Sequence, residues 1–478
     1  MLITFVILYL LLSIGLGVFA ATKVHKTRDY INAGRRLPLF VVVSMVFATW
    51  FGAETVLGIP ATFIEEDLAG LVSDPFGASL CLILFGLFFA RKLYRFNLLT
   101  IVDFYRQRYD RKVEFVTGIA ITLSYLGWVS AQITALGLVF NILSDGLISQ
   151  PMGIVLGAAV VLVYTLLGGM WAVAVTTTFQ MIIIVLGLFY VAWLLADHVG
   201  GVMPVIEHAS SNDKFNFWPA LNSVAIIAFI SGLLTMGFGS IPQQDVFQRA
   251  NAAKSENVAV WGTVLGGIAY FLFAAVPIYL AYSAHLLDPS MVAHFLEEDA
   301  QKILPSLVLG HLPMMAQVIF FGALLAVIMS TASGTLLAPS VTLSENVIKP
   351  WLLQGDTSDA HMLKMTRIVV AVFAVLVTLY ALWALDSDMG IHQMVENAYK
   401  VTLVVAFVPL VAGLYWSRAT TIGAYTAIIF GLITWLPMEF IAPEGEGLMP
   451  PQFVGFLFAI VGMVIGSLLS KPQMQHFN

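Results

Sequence analysis

The sequence predicts an all-α polytopic membrane protein. Three observations carry this. Of the 478 residues, 59% are hydrophobic and only 10% charged. Mean hydropathy is +0.91, whereas a soluble chain of this length needs far more charge on its surface. Apolar runs of about 20 residues, the length that spans a bilayer as a helix, recur with short polar connections between them. A membrane barrel would show short alternating segments instead.

The first run, 2–22, opens MLITFVILYL. It has no basic leader and is too long for a typical signal-peptide core, so it reads as a retained helix. Further spans are expected at 38–64, 71–91, 113–143, 150–168, 170–196, 222–246, 257–284, 314–346, 365–386, 394–416, 419–441 and 451–470. That makes about thirteen transmembrane helices by the length rule. The chain reads as one transmembrane domain, 1–478, with no appended soluble domain. A single cysteine, Cys81, excludes an intramolecular disulfide and any multi-cysteine metal site. Its apolar surroundings suit a packed thiol. The net charge of −6 is small for this size, and no basic patch suggests nucleic acid.

The connections give an orientation. Lys23, Lys26, Arg28, Arg35 and Arg36 follow the first helix, and Arg91, Lys92, Arg95, Arg106, Arg108, Arg111 and Lys112 lie between the third and fourth. Arg249, Lys254, Lys349, Lys364, Arg367, Arg418 and Lys471 fall on the same side of the predicted topology. Glu65, Glu66, Asp67, Glu297, Glu298, Asp299, Glu444 and Glu446 fall on the other. The basic side is expected to be cytoplasmic, with the N-terminus outside and the C-terminus inside a bacterial inner membrane.

Two spans carry unusual residues at mid-length. FATWFGAETVLGIP (47–60) holds Gly52, Glu54, Gly58 and Pro60, and TMGFGSIPQQD (235–245) holds Gly237, Gly239 and Pro242. They are five helices apart and so run in opposite directions. A matched pair of interrupted segments points to an inverted-repeat transporter. Unwound backbone inside a bilayer leaves groups that cost several kcal/mol each unless they bind something. A plain kink, common where Gly and Pro occur in membrane helices, is the competing reading.

NAGRRLPLFVVVSMVFATWFGAETVLGIP (32–60), GGMWAVAVTTTFQ (168–180), GFGSIPQQDVFQRANAAKS (237–255) and LLAVIMSTASGTLLAPS (324–340) together resemble the sodium:solute symporter family. ATW in the second helix, the IPxQ..FQR pattern in the seventh and LILFGLFFARK (82–92) in the third resemble its choline-transporting branch. The resemblance implies a LeuT-type core of two inverted five-helix repeats, here 38–196 and 222–416, with discontinuous second and seventh helices. The segments 1–30 and 419–478 would be peripheral.

The family's sodium site carries over to the backbone carbonyls of Ala48, Phe51 and Val327 and the hydroxyls of Ser330 and Thr331. The residues suit this role. Val327, Ser330, Thr331 and Gly334 share one helical face, and a small hard cation wants oxygen ligands. Hydroxyls bonding back to their own helix or to a neighbour are the alternative. Two positions depart from the family pattern. Trp50 stands where proline-transporting members carry Asp, and Thr177, within Thr176-Thr177-Thr178, replaces the family's usual Asp. One sodium per cycle is expected.

Substrate should lie between the two breaks. Candidate lining residues are Trp50, Phe51, Glu54, Tyr125, Trp128, Gln132, Phe238 and Gln243. Trp50 and Trp128 match cage positions of the choline branch, while Gln243 replaces its third tryptophan. Aromatic faces attract organic cations and Glu54 would add a negative partner, whose burial has a cost that calls for a reason. Ordinary packing of the tryptophans and a structural hydrogen bond for Glu54 are the alternatives, and Gln243 would suit an amino acid or a carboxylate. Glu396 and Lys400 read as an i,i+4 pair near the outer surface or a charge on the outer vestibule. Asp245 and Arg249 read as an i,i+4 pair near the cytoplasmic gate, as helix support or, alternatively, as a gating salt bridge.

The function expected is sodium-coupled import of a small organic solute by alternating access, a choline-like cation in one version and an amino acid or carboxylate in another. Sodium and the solute are the expected partners within a lipid bilayer, with no obligatory protein partner. A transporter-fold solute sensor is the second class, disfavoured by the lack of an attached signalling region. A channel lacks a filter-like repeat, and an enzyme lacks any nucleophile–base or metal constellation.

Overall fold

The computed structural model describes residues 2–22, 27–352, 358–387, 389–442 and 449–471. Lys23, Lys26, Glu444 and Glu446 of the orientation argument lie outside them. The architecture is helical throughout, and the main helices follow the apolar runs. They are α1 (Leu2–Ala21), α2 (Leu39–Trp50), α3 (Glu54–Glu65), α4 (Leu68–Arg95), α5 (Arg111–Leu143), α6 (Gln150–His198) and α7 (Ser223–Gly239). There follow α8 (Gln244–Asn251), α9 (Glu256–Leu287), α10 (Met314–Ile348), α11 (Ala360–Leu385), α12 (Ile391–Tyr415), α13 (Thr421–Ile441) and α14 (Pro451–Leu469).

Among the described residues nine helices are long and apolar enough to cross a membrane, and up to eleven if α2–α3 and α7–α8 each count as one span. The count of thirteen needs in addition α1 and the first part of α6. A left-handed Gly169 (φ 51, ψ −142) divides α6 where the sequence placed a boundary between two helices. A side chain there would meet Tyr30, whose carbonyl lies 2.5 Å from the Cβ position.

The two interrupted segments are broken helices. The α2 and α3 axes differ by 56°, and those of α7 and α8 by 45°. Pro60 is not the breaker of the first pair. It sits inside α3, just past a π-helical turn over Glu54–Gly58, and the helix continues through it to Glu65. The helix stops at Phe51 (φ −79, ψ 77), and Gly52 turns its N–H to the Trp50 carbonyl at 2.9 Å.

α12 packs against both breaks. A Cβ on Gly58 would stand 3.1 Å from the His392 nitrogen, and one on Gly239 would stand 2.6 Å from the Tyr399 carbonyl oxygen. Both glycines therefore permit close approach of one helix, which explains their presence better than flexibility does. α10 forms the centre, buried without interruption from Ala323 to Thr342. The outer faces of α6, α11 and α14 expose Leu186, Phe189, Trp193, Leu379, Trp383 and Leu469, the apolar surface a bilayer would cover.

Candidate functional site

The break in α2 frees one carbonyl in particular. With the Gly52 N–H turned to Trp50, the Ala48 oxygen faces α10 instead of the next helical turn. Ser330 Oγ lies 2.9 Å from it and 2.8 Å from the Val327 oxygen, and Thr331 Oγ1 lies 3.2 Å from it. All four residues are buried. Four uncharged oxygens thus converge between the break and α10, and among the described residues no group of three or more His, Cys, Asp or Glu side chains is arranged so that it could hold a metal ion. Such a donor set suits a monovalent hard cation, for which carbonyls and hydroxyls supply partial charges. A divalent ion would call for carboxylates.

On the other side of the break lies a group of aromatic rings. Trp50 stacks on Tyr399 of α12 with centroids 6.0 Å apart and planes 11° from parallel. Trp128 of α5 meets Trp50 at 5.4 Å and Tyr399 at 5.7 Å, and Tyr125 stacks on Trp128 at 5.9 Å. The Trp50 Nε1 and the Tyr399 hydroxyl are buried without hydrogen-bond partners. Above the rings stands Glu54, 1% exposed. Its carboxylate accepts from Gln132 Nε2 at 2.6 Å and from Trp128 Nε1 at 3.4 Å, while Gln132 Oε1 accepts the Ala53 N–H at 2.9 Å. A second buried carboxylate, Asp74 of α4, accepts the Tyr270 hydroxyl, which also lies 3.2 Å from Thr55 Oγ1. Neither carboxylate makes an ion pair among the described residues.

Below the rings, toward the arginine-rich end, polar side chains close the space. Tyr125 donates its hydroxyl to Asp245 Oδ1 at 2.5 Å and accepts the Asp245 N–H at 2.8 Å. Arg249 faces Asp245 Oδ2 at 3.7 Å, donates Nη1 to the Asp245 carbonyl at 2.7 Å, and donates Nε to Thr49 Oγ1 at 2.6 Å. Thr49 is the neighbour of Ala48, so this buried ion pair touches the end of α2 that supplies the Ala48 carbonyl. Gln243 donates to Ser124 Oγ at 2.9 Å and to Thr402 Oγ1 at 3.4 Å.

Toward the other end a vestibule of about 1010 Å³ opens, with Glu65, Glu66, Glu297, Asp299 and Glu396 among its walls. It descends to Gly58 and His392, one helical turn from Glu54.

A model of the sodium:solute symporter family matches residues 30–431. The chain belongs to that family. The symporter is 26% identical over 457 residues to the human high affinity choline transporter 1, covering 90% of this chain and 75% of that one. It is 26% identical over 502 residues to the Escherichia coli sodium/proline symporter, covering 98% and 93%. In fold it is similar to a Na+-coupled sialic acid symporter in a substrate-bound outward-open state, with a TM-score of 0.81 at 20% identity over 98% of each chain. It is also similar to Mhp1, a nucleobase-cation-symport-1 family transporter, in a closed conformation, at 0.60 and 15% over 92% and 94%. This is a multi-pass membrane transporter, not an enzyme, that couples a small solute to sodium.

In the symporter, Ala48, Val327, Ser330 and Thr331 come together, and Phe51 marks the break beside them. Trp50, Glu54, Tyr125, Trp128 and Gln132 also form one group. Phe238 is not part of it. Its ring stacks on Phe407 of α12 at 4.7 Å and contacts Phe456 of α14 at 6.4 Å, because it lies inside α7, on the face that packs toward α12 and α14. Gln243 is committed to Ser124 and Thr402, below the rings. Lys400 is 5% exposed and reaches Glu439 of α13 at 3.4 Å. It is not on the vestibule wall, whereas Glu396 is. The Asp245–Arg249 pair is wholly buried, more than surface helix support requires. Sequence reasoning missed Tyr399, Asp74, Tyr270 and His392. Tyr399 falls three residues after Glu396, on a part of α12 without glycine that gave no sign of the site.

Proposed function

We propose that the symporter carries a small organic cation of the quaternary-ammonium type, choline-like in size, together with one sodium ion. The observation that carries this is Glu54, a buried carboxylate that makes no ion pair among the described residues and accepts the indole N–H of Trp128, whose ring packs with those of Trp50 and Tyr399. A buried unpaired charge is unfavourable unless a counter-charge joins it. Aromatic faces favour a desolvated cation by about 2 kcal/mol. An ammonium between the rings and the carboxylate meets both needs. Two relatives named above, a choline transporter and a proline symporter, support a small nitrogenous solute. Gln243, the residue that would favour a carboxylated solute, is occupied by Ser124 and Thr402.

Sodium held by Ala48, Phe51, Val327, Ser330 and Thr331 would tie the break to α10 and fix Trp50 and Glu54 for substrate. Alternating access then follows from rocking the four broken-helix segments against α5 and α10. The two repeats, 38–196 and 222–416, each supply one broken helix. The arginine-rich end faces the cytoplasm of a bacterial inner membrane, with the N-terminus outside. A membrane potential contributes about 2.3 kcal/mol per charge per 100 mV, so a cation entering with sodium is driven by two charges.

Uptake into proteoliposomes tests this. Labelled choline should accumulate only with an inward sodium gradient, and unlabelled proline should not compete. Sodium-driven proline uptake that choline leaves untouched would overturn the cation reading. Glu54→Gln should lower choline uptake and leave sodium binding intact.

A further inference from the structure

At the arginine-rich end, Arg28, Arg35 and Arg36 line a recess of about 570 Å³ together with Tyr94 and Asn97. Arg35 lies over the Tyr94 ring, 3.5 Å from its centroid, and donates to the Tyr94 carbonyl at 2.9 Å and to Asn97 Oδ1 at 2.6 Å. Arg28 donates to the same Asn97 oxygen. Two guanidinium groups therefore meet at one neutral acceptor, which satisfies hydrogen bonds without cancelling charge. The wall carries one carboxylate, Asp29, against three guanidinium groups, a surplus of two positive charges.

The backbone holds this arrangement in place. Ala33, Gly34 and Arg35 are consecutive left-handed residues, with φ of 50°, 64° and 58°, a conformation that side-chain-bearing residues disfavour. The turn sets Arg35 and Arg36 beside Arg28 across Gly34, where a Cβ would stand 3.2 Å from Asp29 Oδ1 and 3.6 Å from Arg36 Nε. Clustered cations held against their mutual repulsion in a fixed recess call for an anion, and planar guanidinium groups match phosphate oxygens. Leu39 and Phe40, at the start of α2, follow immediately and are exposed at 39% and 57%. The recess thus lies where an apolar, bilayer-facing helix meets the polar boundary.

We propose that this recess binds the phosphate of an anionic phospholipid headgroup, whose acyl chains lie along Leu39 and Phe40. Nothing in the transport reading requires it. Basic recesses at helix ends on the cytoplasmic side take such headgroups, at about fivefold in affinity per arginine.

The test uses the full-length symporter in detergent micelles and native mass spectrometry, with phosphatidylglycerol and phosphatidylcholine in competition and inorganic phosphate in a parallel arm. The expected result is preferential retention of phosphatidylglycerol by the wild type, reduced about twentyfold in the Arg28→Gln/Arg36→Gln variant, which leaves the Arg35–Tyr94 stack in place. Arg36→Lys should keep most of the preference. Equal retention of both lipids by the wild type would overturn the proposal without recourse to any variant. So would an unchanged preference in a double variant that elutes as the wild type does. Displacement of the lipid by millimolar inorganic phosphate would reassign the recess to a soluble phosphate and overturn the lipid assignment.

Discussion

Trp50, the last residue of α2, and Tyr399 of α12 lie face to face, 6.0 Å apart and 11° from parallel. One ring belongs to the broken helix, the other to the helix against which both breaks pack. A ligand held by this pair therefore reports on the relative position of the moving segments. Trp128 packs on both rings, so the aromatic group draws on α2, α5 and α12.

Removing a ring from this group should weaken a cationic solute without disturbing sodium. Tyr399→Ala and Trp128→Ala should each raise KM for choline about 30-fold, equivalent to about 2 kcal/mol of cation–π attraction. Tyr399→Phe should stay within a few-fold, since the hydroxyl has no partner to lose. Saturation uptake at fixed sodium decides this. Equal KM values for Tyr399→Ala and the wild type would remove Tyr399 from the substrate site.

The Ser330–Ala48 contact at 2.9 Å predicts a separate effect on the ion. Ser330→Ala or Thr331→Ala should raise the sodium concentration needed for half-maximal uptake by about tenfold or more, the usual loss for a hydrogen-bonding group facing a charge. Because the coupling is reciprocal, substrate at saturation should tighten sodium binding in the wild type. Titration of intrinsic tryptophan fluorescence with sodium, with and without solute, checks both statements. Sodium affinity indifferent to substrate would argue against adjoining sites.

Much of this was legible because the chemistry that opens a helix is conspicuous in an apolar chain. Gly52, Glu54 and Gly58 stand out within 38–64, and Ser330-Thr331 follows a run of aliphatic residues. Pro60 misled, since the true stop is Phe51 and the next helix runs on through Pro60 past a π-helical turn. Phe238 misled because closeness in sequence to the break does not fix which face of α7 a residue occupies, and its face packs on Phe407 and Phe456. Tyr399 was illegible for a different reason. Its role depends on how α12 docks against Gly58 and Gly239, a tertiary fact that no local pattern encodes. The Glu396–Lys400 spacing pointed only to a local partner, and the contact of Lys400 with Glu439, some forty positions away in the chain, left no local pattern.

Gly334 tests the buried ion pair at the arginine-rich end. A Cβ there would stand 2.1 Å from Arg249 Nη2, too close without displacing the guanidinium from Thr49 and Asp245. Gly334→Ala should loosen this seal and raise the reactivity of a cysteine introduced at Ser124 toward a membrane-impermeant thiol reagent applied from the arginine-rich side. Arg249→Met leaves Asp245 buried and unpaired, a defect of about 3–5 kcal/mol, and should lower thermal stability more than Asp245→Asn/Arg249→Met does. Differential scanning fluorimetry compares the two. An Arg249→Met protein as stable as the wild type would show that the pair does not hold the segments together.

The vestibule predicts a pH and salt dependence for a cationic solute. Burial, with the neighbouring Asp67 charge, raises the Glu66 carboxyl above its ordinary value, whereas the Lys302 ammonium holds Glu298 below it. The sign follows from these directions. At neutral pH both are ionised and the vestibule is negative. As pH falls, Glu66 therefore protonates before Glu298 does. Cation capture should therefore weaken on mild acidification, through lower association rates and a higher KM rather than a lower maximal rate. Raising ionic strength from about 0.01 to 0.15 M should mimic the effect at neutral pH, because the screening length falls from about 30 to 8 Å. Glu66→Gln should flatten the mildly acidic part of the KM profile, and a neutral solute should show no such dependence. Uptake kinetics measured across pH 5 to 8 in both salts would settle the point: a KM for the cation that is indifferent to pH, salt and Glu66 alike would mean that the vestibule charge plays no part in capture.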